Sequence, residues 1–119
     1  MIITDKKSVN LTLDILLDKV SSISVDRQDL QNLFGDNPNL RMMKVAADSI
    51  EELLPLMKQE IASIGGLPDK CLTVYVSLNM KMSDLELLED ITKDASQCKR
   101  AVVFEKSPLG DFLVYCFFE

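Results

Sequence analysis

The run Cys71-Leu72-Thr73-Val74-Tyr75-Val76-Ser77-Leu78 alternates without a break. Successive side chains of an extended chain point to opposite sides. Leu72, Val74, Val76 and Leu78 therefore share one face, and Cys71, Thr73, Tyr75 and Ser77 share the other. This is the pattern of a sheet covered more heavily on one side. Helical patterns flank the run. Upstream, Ile50, Leu53, Leu54, Met57 and Ile61 recur at helical spacing, and downstream Leu85, Leu88, Ile91 and Ala95 do so within 84–96. A strand set between two such helices predicts β-α-β units with parallel strands and right-handed crossovers.

The remaining segments extend this frame. Residues 40–46, LRMMKVA, read as a strand. Asp48-Ser49, with Glu51 and Glu52 three residues on from each, cap the helix that follows. Pro55 deletes a helix bond beyond the first turn, which predicts a kink or a true start nearer Leu53. Gly65-Gly66 and Pro68-Asp69 close that unit, and Ser83 with Glu86 forms a capping box for helix 84–96. Residues 100–106 and 111–118 read as an antiparallel pair of strands. Ser107-Pro108-Leu109-Gly110 is the hairpin turn between them, with Pro fixing the second position.

The clearest break is Gly35-Asp36-Asn37-Pro38-Asn39. Before it the pattern is all helical. Val9, Leu13, Leu16, Leu17 and Val20 form one stripe over 9–22, and Leu11 and Ile15 widen it into a mostly buried helix. A short helix over 26–34 turns Leu30, Leu33 and Phe34 inward and ends at Gly35. The predicted fold is α+β. It is a two-layer arrangement with a mixed four-stranded sheet in β-α-β-α-β-β order, preceded by a long buried helix and a short helix. Residues 1–119 form a single domain. Helix 9–22 is the spare element and covers the sheet face assigned to Tyr75, Leu113, Tyr115 and Phe117.

Composition removes several classes of function. A length of 119 residues fits one domain and needs no disulfide or metal staple. Net charge is −6, with a pI near 4.6, and Lys99-Arg100 is only a pair. Neutralising phosphates requires clustered cations, so nucleic acid and anionic membrane surfaces are poor partners. No apolar run approaches the roughly 18 residues of a spanning helix. The N-terminal residues MIITDKKSVN lack the basic, apolar, small order of a signal peptide. Three cysteines without C-x-x-C spacing read as reduced thiols of a cytoplasmic protein, with Cys71 and Cys116 as small core residues. There is no histidine, which removes His-paired nucleophiles and His-based zinc sites. The glycines Gly35, Gly65, Gly66 and Gly110 are too scattered to cradle a phosphate. Glu51-Glu52 and Glu89-Asp90 read as solvated helix faces. Met42, Met43, Met57, Met80 and Met82 read as adaptable packing. No cofactor, metal or catalytic constellation is expected, and the chain is not expected to be an enzyme.

One acidic pair stands apart. Asp26 and Asp29 lie three residues apart where the short helix begins. Asp26 can serve as N-cap, with Asp29 in the first turn against the positive end of the helix. From Ser24 the segment Ser24-Val25-Asp26-Arg27-Gln28-Asp29-Leu30 resembles the N-x-D-[FL]-x-D-[VL] loop of the FtsZ/tubulin superfamily, which follows that family's long central helix. The resemblance continues in order through Leu40-Arg41-Met42-Met43, Cys71 to Asn79, Met82-Ser83-Asp84-Leu85-Glu86, Ala101-Val102-Val103-Phe104-Glu105 and Phe112 to Phe117. It spans about residues 9–119 and implies the lower part of the central helix plus the second domain, with 40–119 as the sheet and helices of that domain. The family's G-G-G-T-G-[ST]-G nucleotide loop has no counterpart here. Ser24 stands where the family has Asn, and Arg27 where it has an apolar residue. The resemblance implies a non-catalytic interaction domain that binds or modulates an FtsZ-like filament subunit in cell division. Ser24, Asp26 and Asp29 would then contact the partner, and the two aspartates would act on its GTP. The alternative is a free-standing module that self-associates, or binds a ligand or protein, through its less covered sheet face.

Overall fold

The computed structural model describes residues 1–19, 27–36 and 38–119. Nine elements follow in order: β1 (Ile2–Ile3), α1 (Lys6–Lys19), α2 (Arg27–Phe34), β2 (Arg41–Ala47), α3 (Ile50–Ser63), β3 (Lys70–Val76), α4 (Met82–Thr92), β4 (Gln97–Val103) and β5 (Phe112–Phe118). The strands form one mixed sheet in the order β1-β2-β5-β3-β4. Only β3 and β4 pair in parallel, and the other three neighbouring pairs are antiparallel.

The α+β class and the mixed sheet agree with the sequence reading, but its details change. The sheet has five strands rather than four, because Ile2 and Ile3 pair with Met43 and Met42. The expected hairpin between the last two strands does not form. After the turn, which keeps a single bridge between Ser107 and Gly110, β5 leaves β4 and enters the sheet between β2 and β3. In that central position it pairs on both sides, with Phe117 opposite Met42 and Leu72. A strand reading Phe-Leu-Val-Tyr-Cys-Phe-Phe hides far more apolar surface there than at an edge.

The two-layer expectation is also corrected, because helices cover both faces. Val9, Leu13 and Leu16 of α1, with Leu33 and Phe34 of α2, pack on Met42, Leu72, Val74, Leu113 and Phe117. Leu53 and Met57 of α3, with Leu88 of α4, pack on Met43, Cys71, Tyr75, Val114 and Phe118. Strand alternation therefore feeds two cores. Tyr75, expected beneath the first helix, belongs to the opposite core. Helix α1 covers Leu113 and Phe117 as anticipated, but it runs over Lys6–Lys19 with a narrower buried stripe. Leu11 is 59% and Ile15 47% exposed. The expected helical residues beyond Lys19 and Val20 of the stripe lie outside the described residues.

Local signals explain the helix ends. Ser49 Oγ accepts from the Glu52 amide at 3.3 Å, and the Glu52 carboxylate accepts from the Asp48 amide at 3.4 Å. Between them they satisfy donors that a helix start leaves open. The helix starts at Ile50 and runs through Pro55 to Ser63, so the later start near Leu53 is not adopted. For α4 the capping carboxylate is Asp84, which accepts from the Lys81 amide at 3.2 Å, and not Glu86 of the expected box. At the other end of α4, Arg100 of β4 donates to the Thr92 carbonyl at 3.3 Å and to the Thr92 hydroxyl at 3.0 and 3.1 Å. A cation on the last carbonyls of a helix offsets its negative end. Replacing Arg100 by Met is expected to cost about 1–2 kcal/mol in urea denaturation and to speed amide exchange in the last turn of α4. Unchanged exchange there would remove the capping role.

Candidate functional site

Helices α1 and α2 meet over one sheet face. Helix α2 is short and amphipathic. Leu33 and Phe34 are buried against the sheet, and Leu30 is half-buried beside them. Arg27, at its start, forms an ion pair with Asp14 of α1, with Nη1 3.0 Å from Oδ1. The sequence comparison marked Arg27 as a departure from an apolar position, and the structure gives it a partner on the neighbouring helix. Both side chains are more than half exposed, so the pair orients the helices more than it stabilises them.

Of the three predicted site residues, the structure describes one. Ser24 and Asp26 lie outside the described residues. Asp29 stands in the first turn of α2 and is half-buried. It lines a concavity of about 350 Å³ with Asn32 and Leu33 of its own helix and Ser96 to Lys99 at the start of β4. On the other side of α2 a wider cleft of about 430 Å³ opens against α1 and Leu40. Its apolar wall is Leu13, Leu30 and Phe34, and its polar rim includes Lys6, Asp14, Arg27 and Gln31. Helix α2 is thus a ridge between two hollows.

No model of a known protein family matches this chain, and no curated protein matches it.

The remaining candidate groups lie on exposed helix faces or in the two cores. Glu51, Glu52, Glu89 and Asp90 are exposed, with Glu52 engaged in the α3 cap and Asp90 3.2 Å from Lys93. Met42, Met43 and Met57 are core residues, whereas Met82 is 72% exposed. Among the described residues no group of three His, Cys, Asp or Glu side chains is placed to hold a metal ion. None of their helices is long and apolar enough to cross a membrane. On the sheet, Tyr115 and Lys44 are half-buried, and the Lys44 ammonium lies 5.8 Å from the Tyr115 ring centre. A smaller hollow of about 230 Å³ reaches Tyr115 between α1 and the loop after β4. The Lys19–Glu105 ion pair, at 3.0 Å, lies on its rim.

Burial raises the phenol of Tyr75 and also that of Tyr115, because the phenolate loses hydration. These are the chain's two tyrosines. A phenol held above its unfolded value of about 10 contributes stability that is complete below that pH and is lost as pH rises through the folded value. Alkaline titration of the native protein is therefore expected to show no phenolate step at the free-tyrosine position. Tyr75 should ionise together with unfolding. A native step near pH 10 would contradict the burial of both rings.

The sequence reading missed one constellation. Cys98 falls between the expected helix 84–96 and strand 100–106, but β4 starts at Gln97 and sets Cys98 beside Cys71.

Proposed function

We propose that this chain is a non-catalytic interaction domain of the FtsZ/tubulin type. It would bind or modulate an FtsZ-like filament subunit through the ridge formed by α2. The observation that carries the reading is the placement of Asp29. The residue stands half-buried in the first turn of a helix oriented by Arg27 and Asp14, beside a hollow. The order of elements also supports it. After β1, a long helix and a short helix precede four strands of a mixed sheet with two intervening helices, in the sequence along which the resemblance runs.

In this reading Ser24, Asp26 and Asp29 contact the partner, which supplies the GTP and its binding loop. The chain holds no cofactor of its own and works in the cytoplasm beside a division filament. Self-association through an open sheet face has less behind it, because helices pack on both faces of the sheet.

The test is co-sedimentation with the FtsZ-like GTPase of the same cell, together with its GTP turnover. Wild type should bind and change turnover. Asp29→Ala should bind about tenfold more weakly, equivalent to about 1.4 kcal/mol, while remaining folded, with a stability loss of no more than about 1 kcal/mol from the first turn of α2. Absence of binding by wild type, or equal binding by the folded variant, defeats the proposal.

A further inference from the structure

All three cysteines of the chain meet on one face of the sheet. Cys71 of β3 and Cys98 of β4 are register partners in the parallel pair. Cys116 of β5 lies opposite Thr73, one step along from Cys71 on the far side. The three positions therefore run across the strands in series, Cys98 beside Cys71 and Cys116 diagonal to Cys71. Cys71 and Cys116 are fully buried, while Cys98 is half-buried on the edge strand. One end of the row is therefore open to a reagent and the other two thiols lie behind it.

We propose that Cys98 and Cys71 are an oxidative modification site, which a two-electron oxidant of the peroxide class converts to an intramolecular disulfide joining β4 to β3. The Cys98 sulfur attacks one peroxide oxygen and the O–O bond breaks, leaving a sulfenic acid and releasing water. The Cys71 sulfur then attacks the Cys98 sulfur. The S–S bond forms, the S–O bond breaks and a second water leaves. Both sulfurs have been oxidised and the peroxide has been reduced to water.

The backbone permits this bond. Neighbouring strands lie about 4.8 Å apart, inside the range of Cα separations that disulfides span. Directly opposed side chains in a parallel pair diverge more than an unstrained disulfide prefers. The bridge is therefore the readily reduced kind rather than a permanent staple. Cys116 is excluded as first partner because Cys71 stands between it and Cys98. Hydrogen bonding from Cys116 raises the Cys71 thiol, and hydrogen bonding from Cys71 together with burial raises Cys98. The thiolate is the reactive form, so bridging is slow at neutral pH and faster in alkali, although the neighbouring Arg100 guanidinium draws both thiols the other way.

The experiment treats the native protein with hydrogen peroxide, blocks remaining thiols with N-ethylmaleimide after unfolding, and reads the mass and the linked peptides. The expected product is a monomer that has lost two hydrogens and carries a single maleimide. Its one cross-link joins the peptides holding Cys71 and Cys98, and dithiothreitol reverses it. Cys116→Ser should still form the bridge and Cys98→Ser should not. A Cys71–Cys116 link, a Cys98 sulfinic acid without a bridge, cross-linked dimers or three maleimides on the wild-type chain would each overturn the assignment. The wild-type peptide map is sufficient if a serine variant fails to fold.

Discussion

Phe117→Ala and Phe118→Ala are each expected to destabilise the protein by about 3–5 kcal/mol, read as a lowered urea midpoint with an unchanged slope. The two residues are neighbours on β5, so their side chains enter opposite layers. Phe117 has no exposed surface and packs with Leu13, Leu16 and Leu72 under the N-terminal helices. Phe118 is equally buried, among the residues that α3 covers, and the Arg41 guanidinium lies 4.7 Å from its ring centre. Truncating either removes a large buried apolar side chain and leaves a cavity that a close-packed core closes only in part. The pair discriminates between architectures. A sheet covered on one side would make one substitution costly and the other nearly neutral. Two large losses are the signature of helices on both faces, and a loss under about 1 kcal/mol at Phe117 would show that α1 and α2 do not pack where they are placed.

Gly110→Ala is the second large effect, about 2–3 kcal/mol of lost stability, from a residue with no side chain to remove. Gly110 has φ +148°, where L residues are strained, and a Cβ added there would stand 2.8 Å from the Ala47 carbonyl oxygen and 3.1 Å from its carbon. Those are backbone atoms of β2, so they cannot rotate away as a side-chain tip could. Gly35 supplies the control. It has φ +85° with open space around it, so Gly35→Ala carries only the left-handed penalty of about 1–2 kcal/mol. Thermal melts of the two variants should separate by several degrees. Coincident melts would show that the close approach to Ala47 carries no cost.

These expectations indicate which parts of the chain were legible in advance. The strand at Lys70–Val76 was readable because alternation is local, with Leu72, Val74 and Val76 on one face and Cys71 and Tyr75 on the other as assigned. It stops at Val76, however, and leaves Leu78, expected within it, exposed. The Ser49 cap was readable for the same reason. Strand β4 begins three residues earlier than expected because Gln97, Lys99 and Arg100 obscure an apolar pattern at an edge, where charged residues are common. Two residues, Ile2 and Ile3, are too few to signal β1.

The central place of β5 had no local signature. Pro108 and Gly110 indicate a turn, but the strand that the chain joins afterwards is chosen by apolar surface contributed from β2 and β3, far away in sequence. The candidate site was legible only in part. Asp29 could be placed at the start of α2 from the sequence. Its half-buried setting beside β4 depends on tertiary packing, as does the meeting of Cys98 with Cys71.

The central position of β5 also bears on how the protein comes into being. On a ribosome, β2, β3 and β4 emerge before the wedge that separates β2 from β3. A nascent chain that has not yet reached Phe112 can pair β1 with β2 and β3 with β4, but it holds two half-sheets with no strand to join them. Each half presents an unfilled edge, which is the surface most prone to pairing with another chain. Insertion of β5 therefore closes two adhesive edges in one step, that of β2 and that of β3.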